Sequence, residues 1–131
     1  MLINKRQIRF SKVQLVYQFL QLRDADLILK DLCNIVDDEA HIDEVAYGFK
    51  SIIEKFSWLE SKFEFLLDGK WKWEYVNLLV KAIMIAGAFD ILHAKSESRK
   101  KIIQDYVAIA RIFGEDDSTP FIHANLDKLT E

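Results

Sequence analysis

Apolar positions recur at helical spacing along most of the chain, in amphipathic segments separated by short polar breaks. The period predicts helices over about residues 7–22, 26–36, 43–56, 58–67, 76–92 and 97–113, and a last one opening in the stretch "DDSTP". The acidic "DDEAHIDE" separates the second segment from the third, and Gly69 in "DGK" is placed to end the fourth as a helix C-terminal glycine. Ser118 or Thr119 is placed to cap the last helix, whose first turn holds Pro120. The fifth segment differs from the others. From Val76 to Leu92 only Asn77, Lys81 and Asp90 are polar, which describes a helix surrounded by other helices. It is short for a membrane span and carries Lys81 in mid-run, so it reads as a buried core helix, with "AGA" at Ala86 to Ala88 allowing a close neighbour.

Composition narrows the class. A chain of 131 residues, 50% hydrophobic, is the size of one domain, 1–131, that buries roughly two-thirds of its unfolded surface. Four glycines and one proline are too few for the turns of a many-stranded β fold and leave no glycine-rich phosphate loop. The expected fold is therefore all-α, a single-domain bundle of about six to seven helices. Cys33 is the sole cysteine, so no intrachain disulfide and no cysteine pair for zinc is available, which fits a reducing compartment. No signal peptide is visible, because the charges of Lys5 to Lys12 run into a segment broken by Gln14, Gln18, Gln21, Arg23 and Asp24. His41, His93 and His123 stand far apart, without metal-ligand spacing to another His or Cys. The acid runs lie at helix junctions and no Ser-His or Cys-His pairing is suggested, so neither an enzyme, a cofactor nor a metal is expected.

Charge then points to a partner. The formal net charge is −3, yet residues 1–12 hold four of the 18 Lys and Arg and none of the 21 Asp and Glu. A one-ended asymmetry of this kind marks a nucleic-acid or membrane contact. At helical spacing Lys5, Arg9, Lys12, Val16 and Leu20 fall on one stripe, which begins cationic and turns apolar. Such a stripe most simply projects its cations, with Arg6 beside them, past the packed body towards phosphates. Phe10 among them offers a ring for an unstacked base. The plainer alternative makes Ile8 and Phe10 core residues and the cations the solvation of a frayed end. A second basic cluster, Lys95, Arg99, Lys100 and Lys101, reads as a solvated helix start or as the extension of an RNA track.

The stretch "IIQDYVAIARIFGEDDSTPFIHANLDKL", Ile102 to Leu129, resembles the C-terminal signature of the NusB family of transcription antitermination factors. That signature runs from an apolar pair and Asn-Glu through a helix ending in Lys-x-Phe-Gly to Glu-Asp-Ser, two residues, and Phe-Val-Asn-Gly-x-Leu-Asp-Lys. "AIMIAGAFDIL", Ala82 to Leu92, is similar to the family's Leu-Arg-x-Ala-x-Tyr-Glu-Leu helix, and "RFSKVQLVYQF", Arg9 to Phe19, to its Arg-x-x-Ala-x-Gln-x-Leu-Tyr-Gln start. The likeness covers nearly the whole chain in order and spacing. Departures are His123-Ala124 for Asn-Gly, Gln104-Asp105 for Asn-Glu, Ser98 for a helix-starting Pro, Ile85 for an Arg, and a basic head with fewer arginines.

The resemblance implies an all-α, NusB-like bundle that works in the cytoplasm, binds boxA RNA with NusE, a small-subunit ribosomal protein, and joins the RNA polymerase elongation complex. It implies an RNA face of Lys5, Arg6, Arg9, Phe10, Lys12 and Phe121, with Tyr17 and Asp117 towards the partner. For Phe121 the plain alternative is a core residue of the last helix; for Asp117 it is an acid that favours a helix N-terminus. Monomer and homodimer both remain open. The second functional reading is a divergent helical interaction module that keeps the fold and the protein partner and gives up most RNA affinity.

Overall fold

In a computed structural model, which describes residues 5–36, 39–67, 72–94 and 97–130, the chain forms eight α-helices and three short 3-10 turns, with no strand among these residues. The helices are α1 (Lys5–Leu22), α2 (Ala25–Lys30), α3 (Leu32–Ile35), α4 (Ile42–Glu54), α5 (Phe56–Leu67), α6 (Leu78–His93), α7 (Arg99–Ile112) and α8 (Thr119–Asp127). The all-α expectation holds. The predicted second helix is divided at Asp31, which ends α2 by donating its backbone N–H to the Ile28 and Leu27 carbonyls. The expectation for Gly69 lies outside the described residues, as does Lys95.

Helix α6 is the axis of the fold and packs against α1, α4, α5, α7 and α8. Every residue from Val80 to Ala88 is buried, because the sequence there is apolar on all sides but for Lys81, whose Nζ donates to the Glu74 carbonyl. At Gly87 neighbours come close, since an added Cβ would lie 3.1 Å from Leu126 Cδ1 of α8 and 3.4 Å from Tyr106 Cδ2 of α7. Ile85, where the resembled motif carries Arg, is fully buried and serves as core.

Caps place the helix ends. Asn77 Oδ1 accepts from the Val80 N–H at the start of α6, and Ser98 Oγ accepts from the Lys101 N–H at the start of α7. Ser98 thus supplies a side-chain cap where the family motif has proline. At the start of α8 Ser118 occupies the cap position without a side-chain bond, while the Thr119 hydroxyl donates to the Asp116 carbonyl and Pro120 occupies the first turn. Gly114 ends α7 at φ 80°, a left-handed conformation that glycine adopts without steric cost. The Glu115 N–H then returns to the Ala110 carbonyl at 2.8 Å, and the chain turns towards α8.

Candidate nucleic-acid interface

The stripe on α1 turns inward from Arg9 onward. Arg9 and Lys12 are buried like Val16 and Leu20 further along; Arg9 meets carboxylates of α6 and α7, and Lys12 meets that of α6. Arg9 Nε donates to Asp90 Oδ2 at 2.8 Å, Nη1 to Asp105 Oδ2 at 2.7 Å and Nη2 to Glu97 Oε1 at 2.9 Å. Lys12 Nζ reaches Asp90 Oδ1 at 3.0 Å, and the Tyr106 hydroxyl donates to Asp90 Oδ2 at 2.6 Å. This corrects the expectation that Arg9 and Lys12 project towards phosphate. A buried carboxylate needs a paired cation, and Asp90 and Asp105 draw both groups into the interior.

Two cations of the head keep an outer edge. The Lys5 side chain is 55% exposed and donates to Glu97 Oε1 at 2.9 Å; the Arg6 side chain is 48% exposed and donates from Nε to Asp105 Oδ1 at 3.1 Å. Lys101, from the second basic cluster, joins the same group, its Nζ 2.8 Å from Asp105 Oδ1. Arg99 of that cluster turns elsewhere and donates to the Leu126 and Asp127 carbonyls at the end of α8, where a cation favours the helix C-terminus.

The electrostatics follow from these contacts. Burial pushes the Asp90 carboxyl up, but the Lys12 charge, the Tyr106 hydroxyl and Arg9 outweigh it and hold it below the usual carboxylate range. Burial acts the same way on Asp105, where bonds from Lys101, Arg9 and Arg6 prevail and keep it low. The bond from Lys5, helped by Arg9 against partial burial, lowers Glu97. Burial and the adjacent Asp90 push the Tyr106 hydroxyl well up, so it remains a donor. A carboxyl with a depressed folded-state pKa contributes stability above its unfolded pKa of about 4, which is lost as pH falls through the folded value. The melting temperature is therefore expected to hold from neutral pH to about pH 4 and to fall steeply below it. Circular dichroism melts from pH 7 to pH 2 check this, and a flat profile below pH 4 would contradict the network.

The aromatic candidates take other places. Phe10 is half-buried and stacks on Phe113, with ring centroids 4.8 Å apart and planes at 6°. Phe113 also lines, with Tyr17, Gln14, Gln18, Asn34, Ile35 and Leu79, a groove of about 330 Å³ between α1, α3 and α6. Phe121 and Asp117 lie apart from the head, in a second depression of about 310 Å³ shared with Tyr75, Val76, Asn77, Val80 and Ser118. Phe121 is half-buried, Asp117 is exposed and Tyr75 is 77% exposed. His123 and Ala124, where the resembled motif has Asn-Gly, are both exposed on α8. The structure thus gathers Lys5, Arg6, Arg9 and Lys12 into one cluster, sets Phe10 and Tyr17 around Phe113, and places Phe121 with Asp117.

Asp90, Glu97, Asp105 and Tyr106 were not among the residues expected at this site. One signal for them was present: Asp90 is the sole acid in the apolar run of the core helix, and a buried acid calls for a cation. Among the described residues every buried side-chain polar atom has a partner, and no group of three or more His, Cys, Asp or Glu is placed to hold a metal ion. No helix among them is long and apolar enough to cross a membrane.

Comparison with known proteins gives one consistent family. The NusB family profile matches residues 6–131. The chain is 25% identical over 134 residues to the transcription antitermination protein NusB of Maricaulis maris, covering 95% of this chain and 84% of that protein. To proteins of the same name it is 26% identical over 100 residues in Rhodopseudomonas palustris (strain BisB5) and 29% in Allorhizobium ampelinum, each alignment covering 73% of this chain. The chain spans 58% and 62% of the length of those two relatives.

Proposed function

Because this chain belongs to the NusB family of transcription antitermination factors, we propose that it binds boxA RNA together with NusE and supports processive transcription of ribosomal RNA operons within the RNA polymerase elongation complex. The work is that of a cytoplasmic RNA-binding domain without catalysis. The observation that carries this reading is a charge surplus. Five cations, Lys5, Arg6, Arg9, Lys12 and Lys101, close on three acids, Asp90, Glu97 and Asp105. The uncompensated positive charge emerges at Lys5, Arg6 and Lys101, whose side chains are about half exposed. An exposed cationic edge on a rigid frame is suited to phosphates of a single strand, and Phe121 offers a ring on which a base can stack. The groove beside Tyr17 suits a protein partner, with polar Gln14, Gln18 and Asn34 around apolar Leu79 and Ile35.

A specific observation favours the second reading, a divergent interaction module that keeps the protein partner alone. Each of the four head cations already has a carboxylate partner in the structure. Titration of boxA RNA with and without NusE from the same cell separates the two. The proposal predicts RNA binding that tightens when NusE is added, and a higher melting temperature of the chain with NusE by mass action. Co-elution with NusE but no RNA binding would select the interaction module.

A further inference from the structure

The three acids of the network are not equivalent. Asp90 and Asp105 belong to α6 and α7, and their side chains are 9% and 1% exposed. Glu97 lies in the connection between those helices, is 16% exposed, and uses a single oxygen, Oε1, to accept both from Lys5 Nζ and from Arg9 Nη2 at 2.9 Å. Its Oε2 has only a 3.4 Å contact with Arg9 Nη1. Without Glu97, Arg9 would still be held by Asp90 through Nε and by Asp105 through Nη1. Lys5 would lose the carboxylate it pairs with. Glu97 is therefore the acid whose removal leaves the buried part of the network standing.

A backbone phosphodiester has the same charge as this carboxylate and similar acceptor oxygens. Building on the RNA-binding reading, we propose that Glu97 is an internal rival of RNA: its carboxylate occupies Lys5 and one edge of Arg9 in the free protein and is displaced when a phosphate docks on Lys5. Displacement has a signature that a merely structural acid lacks. A cation meeting phosphate normally releases a condensed counterion and steepens log K against log salt by about 0.7 per contact on a single strand. In this protein the carboxylate freed from Lys5 stays beside the docked phosphate and takes up a cation of its own, which offsets the one released from RNA, flattens the slope and lowers affinity. Glu97→Gln keeps the shape and removes the charge.

Glu97→Gln should bind boxA RNA about fivefold more tightly at low salt, the range of an exposed ion pair, with a slope steeper by about 0.7. Fluorescence anisotropy at salt concentrations between about 50 and about 200 mM reads both. If the parent binds and the variant binds no more tightly with the same slope, the rivalry is overturned while the RNA reading stands. If neither binds RNA, pyrophosphate is the second probe. Pyrophosphate raising the melting temperature of Glu97→Gln more than that of the parent supports displacement of Glu97 by a phosphate anion and sinks the RNA reading; equal shifts overturn the displacement as well. Should Glu97→Gln fail to fold, the Glu97 carboxyl-carbon NMR signal of the parent decides: movement towards free glutamate on adding RNA, or pyrophosphate where RNA does not bind, supports displacement, and an unmoved signal overturns it.

Discussion

Replacing Arg9 by methionine is expected to destabilise the protein by about 3 kcal/mol, the lower end of the cost of removing one partner from a buried ion pair. Methionine keeps much of the stem and its packing, so the loss reports the guanidinium. Three carboxylates lose a donor at once: Asp90 the bond to Nε, Asp105 the bond to Nη1, and Glu97 the bond to Nη2. Asp90 retains Lys12 and Tyr106, and Asp105 retains Arg6 and Lys101, which is why the low end applies. For a chain of this length the melting temperature should fall by roughly 10 °C. The variant should also lose less stability in acid, since its carboxyls are held less far below their unfolded values. A melting temperature within a degree or two of the parent would mean that the network does not hold the fold.

The same side chain shows where the sequence could be read and where it misled. The apolar run from Val76 to Leu92 covers every face of a helix, and this suffices to bury it because only Asn77, Lys81 and Asp90 in it favour water. Lys5, Arg9 and Lys12 lie on the line that continues into Val16 and Leu20, and that spacing was right. Its charge was misjudged: cations on a core-facing line are as compatible with buried acids as with projection into solvent. Deciding between them requires knowing that Asp90 and Asp105 of α6 and α7 come to the same place, which is a tertiary fact. Gly48 is another such fact, since a Cβ there would come within 2.7 Å of Lys12 Cδ; α4 leaves room for the lysine stem that crosses it. The Phe10 and Phe113 pair joins residues about a hundred positions apart and has no local signature.

Phe121→Ala is expected to weaken boxA RNA binding by roughly 5- to 150-fold, the equivalent of about 1–3 kcal/mol for one stacked base. The salt slope should change little, because stacking releases no counterions. The ring is half-buried at the rim of the depression it shares with Tyr75 and Asp117, so the folded baseline of the variant is read from its melting curve in parallel. Phe10→Ala is the contrast. Its ring is committed to Phe113 at 4.8 Å, and removing it should lower stability by about 0.5–1.5 kcal/mol beyond the lost burial, as for other aromatic pairs. Equal RNA affinity of Phe121→Ala and the parent would remove Phe121 from the binding face.

The central claim is that the head divides its work, with Arg9 and Lys12 holding the fold and Lys5 and Arg6 facing RNA. The most direct test is the double variant Lys5→Gln, Arg6→Gln, measured for boxA affinity over a salt series and for melting temperature in the same buffers. Both side chains are about half exposed, and the acids they leave, Glu97 and Asp105, still have Arg9. Stability should therefore change by no more than about 0.5 kcal/mol, as for other surface substitutions. Affinity near 0.1 M salt should fall at least about 5-fold, and the slope of log K against log salt should flatten by about 0.7, the Arg6 phosphate contact, since the Lys5 contact is offset by Glu97. A double variant that binds boxA as tightly as the parent with the same slope, or that loses binding only as it loses its fold, would contradict the division.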